Sequence, residues 1–98
     1  MGARVTTPMF NFGLWVAKSN DTVYYAESPG FVCAYGAEPD NNIYGYTDSS
    51  NPPATCRLKD GTHTATYSHF GDITMPVRKG NYWKVTGADF VYWISIIS

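Results

Sequence analysis

Charge is scarce in this sequence. Asp, Glu, Lys and Arg make up 15% of its 98 residues, against about 25% in typical globular domains. The net charge is -1 and the few basic residues are scattered. A nucleic-acid footprint needs a basic patch or stripe, so nucleic acid is not an expected partner. Good helix formers are scarce too. Glutamate occurs only at Glu27 and Glu38 and leucine only at Leu14 and Leu58, and no 3.6-residue apolar period runs through the chain. Two cysteines, Cys33 and Cys56, are too few for a disulfide framework, and their strand-like surroundings suggest reduced, packed thiols. No apolar run approaches the ~20 residues of a membrane helix, so no membrane partner is expected. No basic start followed by an apolar stretch marks a signal peptide. Synthesis in a cytoplasm is the corresponding expectation.

Aromatic residues are abundant, at 16%. A chain this rich in rings and poor in charge has a two-sided core, buries surface against a partner, or does both. Nine glycines and six prolines punctuate short runs rich in Val, Ile, Thr, Tyr, Phe and Trp, which is the signature of strands. The runs are Leu14–Lys18, Thr22–Glu27, Phe31–Gly36, Asn42–Thr47, Ala54–Leu58, Thr62–Phe70, Asp72–Val77, Tyr82–Thr86 and Phe90–Ile97. Eight to nine short strands with turn signals at this spacing predict an all-β sandwich or barrel. Residues 1–12 lack alternation and read as an extended arm; residues 13–98 read as one sandwich domain.

Alternation assigns faces. Phe31, Cys33 and Tyr35 oppose Val32 and Ala34; Ile43 and Gly45 oppose Tyr44 and Tyr46. In "TMPVRKGNYWKVTG" (Thr74–Gly87) two strands flank a basic turn, which reads as a hairpin with Gly80 at positive φ. Pro76, lacking an N–H, marks an edge or a strand start. Trp83 and Val85 are expected in the core, with Tyr82 and Lys84 outward. The last strand, "FVYWISII", is apolar on both faces, so each face needs a cover. Left open, such a strand aggregates.

The order of "YYAESPGFVCAYG" (Tyr24–Gly36), "IYGYTDSSNPP" (Ile43–Pro53), "PVRKGNYWKV" (Pro76–Val85) and "VYWI" (Val91–Ile94) resembles the small C-terminal head domains of bacteriophage tail fibres and related adhesins. That resemblance implies a jelly-roll-like antiparallel sandwich, broadly similar to tumour-necrosis-factor and complement heads, assembled as a homotrimer. It implies a virion location, contact with other virion proteins, and no enzymatic activity. It also implies that aromatic residues of the last strand stack about the threefold axis. Tyr92, Trp93, Ile94 and Ile96 are therefore the interface candidates, with the parity of the strand left open.

No catalytic set, metal set or cofactor motif stands out. The carboxylates sit in turn-like stretches, where Asp caps backbone N–H groups. His63 and His69 share a strand face but are too far apart for one metal. The best ligand-binding segment is Ala37–Pro53, in which Asp40, Asn42, Tyr44, Tyr46 and Asp48 combine rings with planar polar groups. Such a mix suits a host-surface glycan. The alternatives are a purely structural capsid-decorating or assembly protein without ligand, and a free-standing lectin.

Overall fold

The computed structural model describes residues 10–37, 42–61 and 71–97. Among them there is no helix. Eight strands run β1 (Asn11–Lys18), β2 (Tyr24–Tyr25), β3 (Gly30–Tyr35), β4 (Ile43–Asp48), β5 (Cys56–Asp60), β6 (Asp72–Val77), β7 (Tyr82–Thr86) and β8 (Phe90–Ile97). They form two four-stranded antiparallel sheets, sheet A in the order β1-β8-β3-β6 and sheet B in the order β2-β7-β4-β5.

The sequence alternation becomes the two sides of each sheet. Val32, Ala34, Ile73, Met75, Val77 and Val91 line the inner side of sheet A; Ile43, Trp83 and Val85 line that of sheet B. Trp93 reaches across from sheet A and stacks on Trp83, ring centroids 5.7 Å apart and nearly parallel at 13°. Tyr24 closes on the other side of Trp83 at 4.7 Å. Trp83, Ile43, Met75, Val32 and Val85 are the largest fully buried side chains. Burial of these side chains contributes roughly 1.5–3 kcal/mol each, which offsets the entropy of ordering a small domain.

Four expectations need correction. Thr74–Gly87 is not a hairpin: β6 belongs to sheet A and β7 to sheet B. The turn between them carries the chain from one sheet to the other. Asn81 N–H donates to the Arg78 carbonyl (3.1 Å), Gly80 N–H to the Ala26 carbonyl (2.8 Å), and Ala26 N–H to the Asn81 carbonyl (2.9 Å). The corner is thus stapled to buried Ala26. A hairpin and a corner both set apolar residues at every second position, so the pattern cannot distinguish them.

Second, the strand does not wait for Leu14. β1 begins at Asn11, so residues 11 and 12 of the expected arm are paired with β8; Phe10 is exposed beside Phe12, and residues 1–9 lie outside the described residues. Third, the run Thr22–Glu27 shortens to the two residues of β2. Fourth, neither thiol is buried: Cys33 is half-buried and Cys56 exposed, and both are free. The expected strand Thr62–Phe70, with His63 and His69, lies outside the described residues.

Among the described residues two glycines adopt positive φ, Gly80 (89°) and Gly87 (83°). They differ in their surroundings. A Cβ at Gly80 meets open space, whereas one at Gly87 collides with the backbone carbonyl of Asn42. Gly80→Ala incurs only left-handed strain, about 1–2 kcal/mol; at about 4–8 °C per kcal/mol for a domain of this size, its thermal midpoint falls by several degrees. Gly87→Ala adds a displacement of the start of β4 and melts lower still. Equal midpoints in a thermal melt would show that the Gly87–Asn42 approach is slack.

Candidate functional site

The outward side of sheet A is apolar across its full width. Strand register places Trp15 opposite Ile94, Ile94 opposite Phe31, and Phe31 opposite Pro76. One row of apolar side chains therefore crosses all four strands. The next row is Ala17, Tyr92, Cys33 and Thr74. Neither row holds a charge. At one end Phe90 and Tyr35 stack at 4.9 Å and Tyr35 lies 6.3 Å from Tyr92. A trough of about 570 Å³ runs between Phe12, Trp15, Phe31 and Ile94. Phe12 and Trp15 stay more than half exposed, at 54% and 60%.

A bulge makes this face. The register shifts between Phe12, opposite Ile96, and Trp15, opposite Ile94, so Gly13 and Leu14 together face Ser95. The extra residue brings Phe12 and Trp15, an odd number of positions apart, onto the same side. Edge strand β1 is exposed along nearly its whole length, with Leu14 at 85%.

The interface candidates divide between the two sides of β8. Tyr92, Ile94 and Ile96 point outward, where Ile94 is already nearly covered by its neighbours at 8% exposure. Trp93 points inward and belongs with Trp83. Its place in the internal stack removes it from the outward set, because adjacent residues of a strand face opposite sides.

The ligand-binding candidates separate as well. Asp40 lies outside the described residues. Asn42 is exposed just before β4, its side chain against Gly61. Tyr44 and Tyr46 stand side by side on the outward side of sheet B, next to Lys59 and Lys84. The Lys84 ammonium lies 5.3 Å from the Tyr46 ring centroid, a cation–π contact that holds the ring in place. Alternation did not bring in a second aromatic pair on this side, Tyr25 and Tyr82, at 5.1 Å; the cross-strand register alone unites them.

Asp48 serves its own loop. Its Oδ1 accepts from Ser50 N–H (2.8 Å), and its Oδ2 accepts from Ala54 N–H, Thr55 N–H and the Thr55 hydroxyl, each at 2.9 Å. The backbone bonds from Ser50 and Ala54, joined by those from Thr55, hold its carboxyl at about 2 against an ordinary 3.8. A value depressed by folding means that the stabilisation is complete above the ordinary value and lost as pH falls through the folded one. The Ala54 and Thr55 amides are therefore predicted to keep their hydrogen-exchange protection down to about pH 4 and to lose it toward pH 2. Protection lost already near pH 5 would contradict this anchoring role.

Among the described residues no three His, Cys, Asp or Glu side chains gather as metal ligands, and no helix is long and apolar enough to cross a membrane. The molecule is thus an all-β sandwich with one apolar outward face and one face of tyrosines and lysines. No family model, curated protein or solved structure matches the chain.

Proposed function

We propose that the protein is a non-enzymatic bacteriophage virion component: a jelly-roll head that assembles as a homotrimer, caps a fibre or spike and contacts the host-cell surface. The strand orders support the jelly-roll reading. Pairings β1·β8, β2·β7, β3·β6 and β4·β5 are the rungs of one long antiparallel ribbon. Rolling that ribbon sends alternate rungs to opposite sheets, joined by β8·β3 and β7·β4.

The observation that carries the trimer is the outward side of sheet A. From strand spacing and rise it measures roughly 20 Å by 20 Å in plan, about 400 Å², which is the size of the largest apolar patch on a typical monomer, a patch that is often functional. The Trp15–Ile94–Phe31–Pro76 row is its centre. Sheltering it among three copies leaves sheet B, with Tyr44 and Tyr46, facing out. The virion and host assignments draw on the motif order in the sequence.

Labelled protein should bind bacterial cells or a glycan array and be found in purified virions. A trimer that is present in virions but binds neither cells nor glycans leaves the capsid-decorating or assembly reading, which the internal commitment of Asp48 favours. A glycan binder absent from virions is a free-standing lectin.

A further inference from the structure

We propose that the cleft between the open edges of the two sheets binds a carboxylated sugar through Arg57 and Arg78. This deepens the host-contact half of the reading above and does not depend on the trimer. β5 is an edge of sheet B and β6 an edge of sheet A. Between them lies a cleft of about 600 Å³, within the roughly 300–1,000 Å³ of small-molecule sites.

Its walls suit one charge and one ring. Arg57 sits at the β5 bulge, and its Nε donates to the Thr47 carbonyl at 3.0 Å. That bond fixes the plane of the guanidinium and leaves its terminal nitrogens to a ligand. Arg78 enters from the corner after β6. Neither guanidinium is paired with a carboxylate of the described residues. Asp48 also lines the cleft, but both its oxygens are occupied by Ser50, Ala54 and Thr55.

Two positive charges and one negative leave room for a single negative charge, which favours a carboxylate over a phosphate dianion. A carboxylate also matches the planar guanidinium fork. Leu58 and Pro76 give the cleft apolar surface for the C–H face of a pyranose, and Ser49 and Asn81 border it with groups that can bond sugar hydroxyls.

The test is a ¹⁵N NMR titration of the purified full chain with methyl galacturonoside, which carries one ring and one carboxylate, its neutral methyl ester, and inorganic phosphate. The acid should bind about tenfold or more tightly than the ester, and Arg57→Gln and Arg78→Gln should each weaken it by about tenfold. Lys18→Gln, at a cation on β1, the edge of sheet A remote from the cleft, should bind as the unaltered chain does. Both arginines are exposed, so Arg78→Gln should keep the thermal midpoint, and Arg57→Gln, which loses the bond to the Thr47 carbonyl, should lower it by several degrees at most. Equal affinity for acid and ester, binding unaffected in both variants, or displacement by equimolar phosphate would each overturn the proposal. Because the titration uses soluble sugar, a failed cell-binding or virion assay leaves its result standing, and a failed titration leaves those assays standing.

Discussion

Trp83→Ala is expected to leave the protein largely unfolded, or within a few kcal/mol of it, at room temperature. Trp83 is 1% exposed, and its ring is held between Tyr24 at 4.7 Å and Trp93 at 5.7 Å. Removing a buried tryptophan ring costs about 3–5 kcal/mol, through lost transfer energy and the cavity left behind. A domain of this length has a total stability of about 5–15 kcal/mol. The neighbours cannot collapse into the gap, because Trp93 is fixed on β8 and Tyr24 on the two-residue β2. Urea denaturation reads the effect directly. Tyr44→Ala, on the outward side of sheet B, serves as the contrast and should shift the midpoint little. A Trp83 variant as stable as the Tyr44 variant would mean that the stack does not hold the two sheets together.

Phe31→Asp should produce the opposite combination, an intact fold and a lost assembly. Phe31 lies on β3, in the middle of the apolar row, between Ile94 and Pro76. Its side chain points away from the core, so an aspartate there is hydrated in the free chain. In an assembly the same carboxylate would be desolvated without a partner. Hot-spot residues, which cluster near the centre of an interface, cost about 2 kcal/mol or more when truncated, or about thirtyfold in affinity. Size-exclusion with light scattering should show the variant as a single chain at concentrations where the proposed trimer of the unaltered protein forms. Far-UV circular dichroism should be unchanged. Trp15→Asp, on the edge strand, should act in the same direction.

What the sequence revealed follows from what alternation encodes. β6 and β7 were legible to the residue because their apolar positions recur every second residue between clear turns, and β8 because an apolar run follows the turn Gly87-Ala88-Asp89. The inner and outer sides of β3 and β4 were legible for the same reason. The link between β6 and β7 was not, since the hydrogen bonds that turn it into a corner go to Ala26, far away in sequence. β1 was hidden by its bulge: Gly13 and Leu14 break the alternation, so residues 11 and 12 read as arm. The candidate site was legible in part. Tyr44 and Tyr46 emerge together, as their spacing implies. Asp48 has the composition of a ligand but the hydrogen bonds of a loop anchor, a distinction that depends on where Ser50, Ala54 and Thr55 fold back. The Arg57–Arg78 cleft joins residues from different sheets, which no local pattern could pair.

Sedimentation equilibrium over a wide concentration range tests the central claim most directly. Shelter of the sheet A face among copies predicts a mass of three times the 10.9 kDa chain, falling to one chain for Phe31→Asp. A soluble single chain at the highest concentration, with the Trp15–Ile94–Phe31 row open to water, would contradict it.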